Sequence, residues 1–287
     1  MQRAAILSRA RKKSIGFVPT MGALHEGHLS LVRTARREND VVVASIFVNP
    51  TQFGPKEDFE SYPRTLATDR RLLKKAGVDY LFVPTAQAMY PEGFSTTVDV
   101  GATVAHLRGV PRLDLASVLC GKFRPGHFRG VAMVVAKLFG ITKPDKAYFG
   151  AKDYQQAAVI KQLVRDLNMG IEIKVLPTVR EKDGIAMSSR NRRLKGRERL
   201  RARAISETLF WLRREIRKGR RDLTKLRAEA LARLRPKVDR IDYFEIVDPE
   251  TLESLSAMKS KMVALTACFV GKTRLIDNVI MLRSSRS

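Results

Sequence analysis

The chain has 287 residues, 44% hydrophobic and 29% charged, enough for one large or two ordinary domains with real cores and too apolar for a disordered polymer. No run approaches the roughly 20 uninterrupted apolar residues of a membrane span, and the opening Met1-Gln-Arg-Ala-Ala-Ile lacks the apolar core and cleavage site of a signal peptide, so the expected location is cytoplasmic with no membrane partner. The net charge of +25 raises nucleic acid as a competing partner, but the bases of residues 190–240 alternate with Leu200, Ala204, Leu209, Leu212 and Ile216, as on a solvated helix face. Interleaved aromatics for base stacking are nearly absent there, and no nucleic-acid partner is expected.

In chain order, short β-branched runs alternate with helical patterns. Ile15–Val18, Val41–Phe47, Tyr80–Val83, Lys146–Phe149 and Ile171–Val175 read as strands. Leu29–Arg37, Thr65–Lys75, Val131–Phe139 and Tyr154–Leu167 read as helices. That alternation predicts an α/β, Rossmann-like, doubly wound parallel sheet over residues 1–180, whose ligands bind beyond the carboxyl ends of strands. After about residue 180 the pattern becomes two helices, Arg197–Lys218 and Leu223–Leu234, and three runs, Ile241–Val247, Met262–Val270 and Thr273–Met281. The last two flank Gly271-Lys272 as a hairpin would. Residues 181–287 are therefore expected to form a smaller α+β domain with a three-stranded antiparallel sheet, with Pro177–Ser189 as the hinge. Cys120 and Cys268 lie far apart without metal-ligand spacing and read as plain reduced thiols.

The most specific local signal is Gly16-Phe-Val-Pro-Thr-Met-Gly-Ala-Leu-His-Glu-Gly-His28. It sets two imidazoles three residues apart where a strand hands over to a helix. Residues at i and i+3 share a face, so His25 and His28 can both address an anion at the positive end of the helix dipole. Two histidines that cap or pack a turn satisfy the same spacing. A helix N-terminus also disfavours imidazolium until a phosphate is present, so donation of a hydrogen bond serves as well as acid catalysis.

The chain further carries Asn49-Pro-Thr-Gln-Phe53, Tyr62-Pro-Arg-Thr65, Arg124-Pro-Gly-His-Phe-Arg-Gly130, Phe149-Gly-Ala-Lys-Asp-Tyr-Gln-Gln156, Met187-Ser-Ser-Arg-Asn191 and Leu275-Ile-Asp-Asn278. Each is weak alone. The ordered series, from about Ile15 to Met281, resembles the pantothenate synthetase family, of the His-x-Gly-His nucleotidyltransferase superfamily. The resemblance implies condensation of pantoate with β-alanine through an enzyme-bound pantoyl adenylate, with ATP as substrate, Mg2+ carried on the ATP, and AMP and pyrophosphate as products. It implies a nucleotide- and pantoate-binding first domain, a lid-like second domain and a homodimer.

Carried over by position, the resemblance makes His28, His25 and Lys152 the catalytic residues. It makes Met21, Gly22, Ala23, Leu24, His25, Glu26, Gly27 and His28, with Thr20 beside them, the first stretch of the ATP site. Gly150, Ala151, Lys152 and Asp153, then Val179, Met187, Ser188, Ser189 and Arg190, complete that site. The Met187–Arg190 stretch looks like the mobile phosphate loop of class I aminoacyl-tRNA synthetases. Gln52 and Gln156 match the pantoate ligands, since an amide can donate and accept at once; Gln52 and Arg124 would meet β-alanine, with His127 beside Arg124. Gln155 should face elsewhere on its helix. No carboxylate and histidine cluster has metal-ligand spacing. Three features depart from the family: Ala151 stands where a glutamate is usual, only Met1 to Ser14 precede the first predicted strand, leaving open whether an opening strand or helix is present, and Val104–Ala116 is longer than the usual link.

Overall fold

The computed structural model describes residues 1–55, 57–101 and 114–282. It divides into two compact units, one of Met1–Ala151 with Gln155–Pro177, the other of Lys152–Tyr154 with the chain from Thr178. Most of the Val104–Ala116 segment lies outside the described residues.

In the first unit, α1 (Gln2–Ala10) precedes β1 (Ile15–Thr20), so an opening helix is present. There follow α2 (Glu26–Glu38), β2 (Val41–Ile46), α3 (Leu66–Lys75), β3 (Tyr80–Phe82), α4 (Ala86–Met89), α5 (Cys120–Phe123), α6 (His127–Thr142), β4 (Lys146–Gly150), α7 (Tyr154–Asp166) and β5 (Glu172–Leu176). Among the described residues the strands form a parallel sheet in the order β3-β2-β1-β4-β5. Every residue of β2 is buried, as a central strand covered on both faces requires. Alternation along the strands divides the core. Val18, Val42, Ala44 and Ile46 pack with Leu31, Val32 and Ala35 of α2, whereas Phe17 meets Phe139 of α6 edge-on at 6.3 Å. The sheet is thus doubly wound. Its chain order turns outward from β1 through β2 to β3 and then crosses to β4, which puts the topological switch point between the carboxyl ends of β1 and β4.

In the second unit, α8 (Gly196–Arg217) and α9 (Leu223–Leu234) pack with an antiparallel sheet of β6 (Arg240–Val247), β7 (Lys261–Val270) and β8 (Thr273–Leu282), in the order β6-β7-β8. The core includes Leu209, Leu212, Leu226, Phe244, Met262 and Val279. Tyr154 donates its hydroxyl to Pro249 O at 3.0 Å and Asn278 Nδ2 donates to Lys152 O at 2.9 Å, which ties Lys152–Tyr154 into this unit. Among the described residues, no helix is long and apolar enough to cross a membrane. Cys120 and Cys268 are buried and outside any disulfide; burial pushes the Cys268 thiol up to about 12.

One close approach between backbones is legible as a glycine. A Cβ on Gly130 of α6 would lie 2.3 Å from Thr51 O and 2.7 Å from Gln52 Cα. Alanine gains roughly 1 kcal/mol of helix propensity over glycine, but the clash is against backbone and overpacking costs about 1–3 kcal/mol. Gly130→Ala is therefore expected to lower the melting temperature by several degrees in a thermal unfolding scan. An unchanged or raised melting temperature would show that the Thr51–Gln52 backbone yields without cost.

Candidate active site

The turn from β1 into α2 is shaped by backbone before any side chain acts. Thr20 donates its hydroxyl to Ser45 O at 2.7 Å and accepts the Gly22 amide at 3.1 Å. Gly22 (φ +81°) and Ala23 (φ +50°) both take left-handed backbone and reverse the chain. Asp69 of α3, 1% exposed, accepts the amides of Ala23 and Leu24, each at 2.9 Å, and the Thr65 hydroxyl at 3.1 Å. Helix α2 then begins with His25 as N-cap and His28 at the third helical position, the two forming a capping box. Ser and Glu fill those roles more often.

The His25 amide donates to His28 Nδ1 at 3.4 Å, and the two ring centroids are 4.0 Å apart. An Nδ1 that accepts puts the proton of neutral His28 on Nε2. Capping and presentation of a donor are therefore compatible uses of one ring. Glu26 forms an ion pair with Arg33, and Gly27 follows it in the first turn, where the helix dipole is positive.

Gln52 is joined to this turn. Its Nε2 donates to Met21 Sδ at 2.9 Å, and its Oε1 accepts from Asn49 Nδ2 at 3.3 Å. Asn49, 1% exposed, also donates to Gly130 O at 3.1 Å and accepts from Tyr90 OH at 2.8 Å and Thr51 Oγ1 at 3.0 Å. Burial pushes the Tyr90 phenol up against the opposing hydrogen bonds of Thr51 and Asn49, so it remains a donor at neutral pH. The Gln52 amide retains donor and acceptor capacity beyond these bonds.

Arg124 and His127 hold the backbone of the same residue. Arg124 pairs with Glu57, its Nε donating to Oε1 at 2.7 Å and its Nη2 to Oε2. Its Nη1 lies 3.0 Å from His127 Nε2, and His127 Nδ1 lies 2.8 Å from Gln52 O. Because Arg only donates, His127 accepts at Nε2 and donates from Nδ1 to the Gln52 carbonyl. The charge of Arg124 is thus met by Glu57.

Gly150 ends β4, the strand beside β1, and Ala151 opens the turn that follows, so both lie at the switch-point end of the sheet. Half-buried Gln156 follows Gln155 in α7. Gln155 is structural: its Nε2 donates to Leu115 O at 2.9 Å and Val118 O at 2.7 Å, and its Oε1 accepts the Cys120 amide at 2.9 Å.

In the second unit, Lys152 Nζ lies 3.6 Å from Asp153 Oδ1. The segment from Val179 to Arg190 is tied down. Arg180 and Ala186 form an antiparallel bridge, and the Met187 amide donates to Val179 O at 2.9 Å. Ser188 caps the turn that begins at buried Ser189, accepting the Arg190 amide at 3.3 Å. Asn191 anchors it from below, donating to Glu181 Oε1 at 2.5 Å and Ala186 O at 3.0 Å. Arg180 makes two bonds to Asp277, at 2.7 and 3.0 Å; burial pushes the Asp277 carboxyl up and the guanidinium opposes it. The Leu275–Asn278 motif therefore supports Arg180 through Asp277 and Lys152 through Asn278. Among the described residues, no group of three or more His, Cys, Asp or Glu is placed to hold a metal ion.

Asp69, Asn49, Glu57 and Tyr90 were missed as supports of the site in the sequence. Asp69 and Glu57 follow ordinary helical or loop patterns, and Asn49 shares its motif with Gln52.

The pattern that defines the family described as Pantoate-beta-alanine ligase matches residues 1–280. The pantothenate synthetase of Thermosipho melanesiensis is 50% identical over 281 residues, covering 98% of this chain and 96% of that protein. The pantothenate synthetase of Thermotoga neapolitana is 53% identical over 275 residues, covering 95% and 94%. The crystal structure of pantothenate synthetase from Thermus thermophilus superposes with a TM-score of 0.87 at 46% identity over 96% of each chain. A pantoate-beta-alanine ligase from Francisella tularensis, complexed with beta-gamma ATP and beta-alanine, superposes with a TM-score of 0.76 at 37% identity, covering 98% of this chain and 95% of that one.

The Glu57–Arg124 pair makes a pH prediction. Burial raises the Glu57 carboxyl, but the hydrogen bond and charge of Arg124 outweigh it and hold the carboxyl below its ordinary range. A depressed folded value gives stability that is fully present above the unfolded value of roughly 4.3 and is lost as pH falls through the folded one. Glu57→Gln should thus cost about 1–3 kcal/mol at pH 7, and denaturant unfolding should show the gap to wild type closing below about pH 4. A gap that persists at acid pH would assign the loss to packing instead of charge.

Proposed function

The chain belongs to the pantoate-beta-alanine ligase family, and on that premise we propose how its residues condense pantoate with β-alanine at the expense of ATP to give pantothenate. The observation that carries the proposal is the placement of His25 and His28 in the first turn of α2, at the switch point of the sheet, with Gln52 bonded to the same turn through Met21.

In the first half-reaction a pantoate carboxylate oxygen attacks the α-phosphorus of ATP. The bond to the bridging oxygen breaks, pyrophosphate leaves, and pantoyl adenylate forms. Charge grows on the α-phosphate and leaving oxygens, so the protein's task is to place donors and cations there. The backbone from Met21 to Leu24 approaches the nucleotide, with Glu26 and Gly27 continuing the contact along the first turn. His25 and His28 Nε2–H donate to the phosphates. Gly150 and Ala151 take the nucleotide by backbone, which is why alanine suffices where the family usually has glutamate. Lys152 adds a point charge on the phosphates, Asp153 takes the ribose, and Val179, Met187, Ser188, Ser189 and Arg190 supply the remaining nucleotide contacts. The triphosphate arrives with Mg2+ as its counter-ion, so the metal is part of the substrate.

Gln52 and Gln156 orient pantoate, each offering a donor and an acceptor to its hydroxyls and carboxylate. In the second half-reaction the neutral amine of β-alanine attacks the acyl carbon and loses a proton, the acyl C–O bond breaks, and AMP leaves carrying the oxygen that came from the pantoate carboxylate. Gln52 borders the amine's approach. Arg124, held by Glu57, contributes to the β-alanine carboxylate less than a free guanidinium would. The resemblance further supports a homodimer, and two buried thiols outside any disulfide support a reducing, cytoplasmic compartment.

Incubation with MgATP, D-pantoate and β-alanine should yield AMP and pantothenate by mass; ADP, or an adenylylated product, would sink the proposal. Two substitutions then separate the roles. Gln156→Ala is expected to raise the pantoate KM by about 10- to 100-fold, the loss of roughly 1–3 kcal/mol for groups left unpaired. Lys152→Ala should instead slow adenylate formation, read as exchange of labelled pyrophosphate into ATP with pantoate alone. If Gln156→Ala leaves pantoate saturation intact while ATP affinity collapses, the two assignments are wrong.

A further inference from the structure

We infer that Asp69 is a positioning residue for adenylation: its buried carboxylate sets the backbone of the β1–α2 turn and thereby the placement of His25 and His28. The inference rests on the ATP role proposed for that turn.

Two adjacent backbone amides, those of Ala23 and Leu24, donate to the two different oxygens of Asp69, each at 2.9 Å. Such a bidentate clamp fixes the orientation of both peptide groups. It acts where the chain is under conformational cost, because Ala23 holds φ +50° without being glycine, a region that a Cβ disfavours. The carboxylate fits directly beneath the turn: a Cβ on Gly22 would lie 3.1 Å from Asp69 Oδ2 and 3.0 Å from Ile46 Cγ2. Thr65 Oγ1 donates to the same Oδ2 at 3.1 Å, orienting the carboxylate from the start of α3. The residue after this clamp is His25, the N-cap of α2, and the capping box passes its position to His28. Neither oxygen of Asp69 is turned toward substrate by these bonds, so its effect on chemistry runs through the backbone. A displacement of either imidazole by a fraction of an ångström lowers the rate of phosphoryl chemistry while leaving pantoate contacts alone.

Asparagine is the sharp probe, because it replaces one acceptor with an N–H2 that opposes a backbone N–H. Glycine at position 23 is the matching rescue, because it adopts φ > 0 without the Cβ cost and so lessens the need for the clamp. Wild type, Asp69→Asn and Asp69→Asn/Ala23→Gly are compared in pantoate-dependent exchange of labelled pyrophosphate into ATP. Amide hydrogen exchange of the Thr20–His28 segment is followed in the same proteins. Wild-type exchange checks the reading on which the inference rests, and the amide protection reports the clamp whether or not exchange occurs. Asp69→Asn should lower kcat for exchange by about 10- to 100-fold with the pantoate KM unchanged. The Ala23 and Leu24 amides should lose protection while those of β1 and β2 keep theirs, and Ala23→Gly should recover a substantial part of the lost kcat. Thr65→Val, which removes only the hydroxyl that orients the carboxylate, is the milder variant should Asp69→Asn fail to fold, and it should show the same pattern at a few-fold. Wild-type kcat and amide protection in either variant would overturn the inference, as would a loss shared by kcat, pantoate KM and the β1 and β2 amides without recovery by glycine.

Discussion

A strand that ends at Thr20 and a helix that starts at Glu26 leave only the residues between them to reverse the chain. The reversal depends on left-handed backbone at Gly22 and Ala23 and on a carboxylate buried underneath. The parallel sheet supplies the location, since β1 and β4 diverge in chain order and open a crevice at their carboxyl ends. The turn supplies the proposed chemistry, since it delivers two imidazoles to the positive end of α2. If α2 began one residue later, the same histidines would point a third of a helical turn away. The arrangement of the two imidazoles is thus a property of where a helix starts.

Around that turn, polar side chains are used mostly to hold other groups. Asn49 links the Tyr90 hydroxyl, the Gln52 amide and the α6 backbone, and Glu57 holds Arg124, which holds His127, which holds the Gln52 carbonyl. Buried networks of this kind are costly unless every member is satisfied, and here they converge on one glutamine. The second unit disposes of much of its positive charge internally. Arg199 meets Glu181 and Asp183, Arg220 meets Glu215 and Glu229, and Arg274 meets Asp242. Arg180 and Arg213 lie over the Phe210 ring and Arg233 over the Trp211 ring.

Strands and helices were legible in the sequence where burial is periodic. Val41–Ile46 is apolar except for Ser45 and buried throughout, and the start of α9 is marked by Asp222, whose side chain accepts the Lys225 amide at 2.8 Å. Helix α1 escaped notice because it buries only Ala5 and Ser8 and leaves Ile6 and Leu7 exposed, so its apolar residues mark no face. The first turn of α2 extends ahead of its hydrophobic period because it is built of Glu26, Gly27 and His28, and that of α6 because Phe128 stands alone among His127, Arg129 and Gly130. The residues proposed to contact substrates stood out through motif spacing, but the supports beneath them did not. Asp69 and Glu57 are single carboxylates whose meaning comes from partners 46 and 67 positions away, and no local pattern encodes such a pairing.

His28 is proposed to serve the charge that develops on the phosphates, with its capping bond as support. The most direct measurement is the rate of each half-reaction in His28→Ala. Adenylate formation should fall by roughly two to three orders of magnitude, as for one lost transition-state donor, while preformed pantoyl adenylate plus β-alanine should still give pantothenate at near the wild-type rate and the melting temperature should change little. Comparable losses in both half-reactions together with a lowered melting temperature would contradict the account and leave His28 as a helix cap alone.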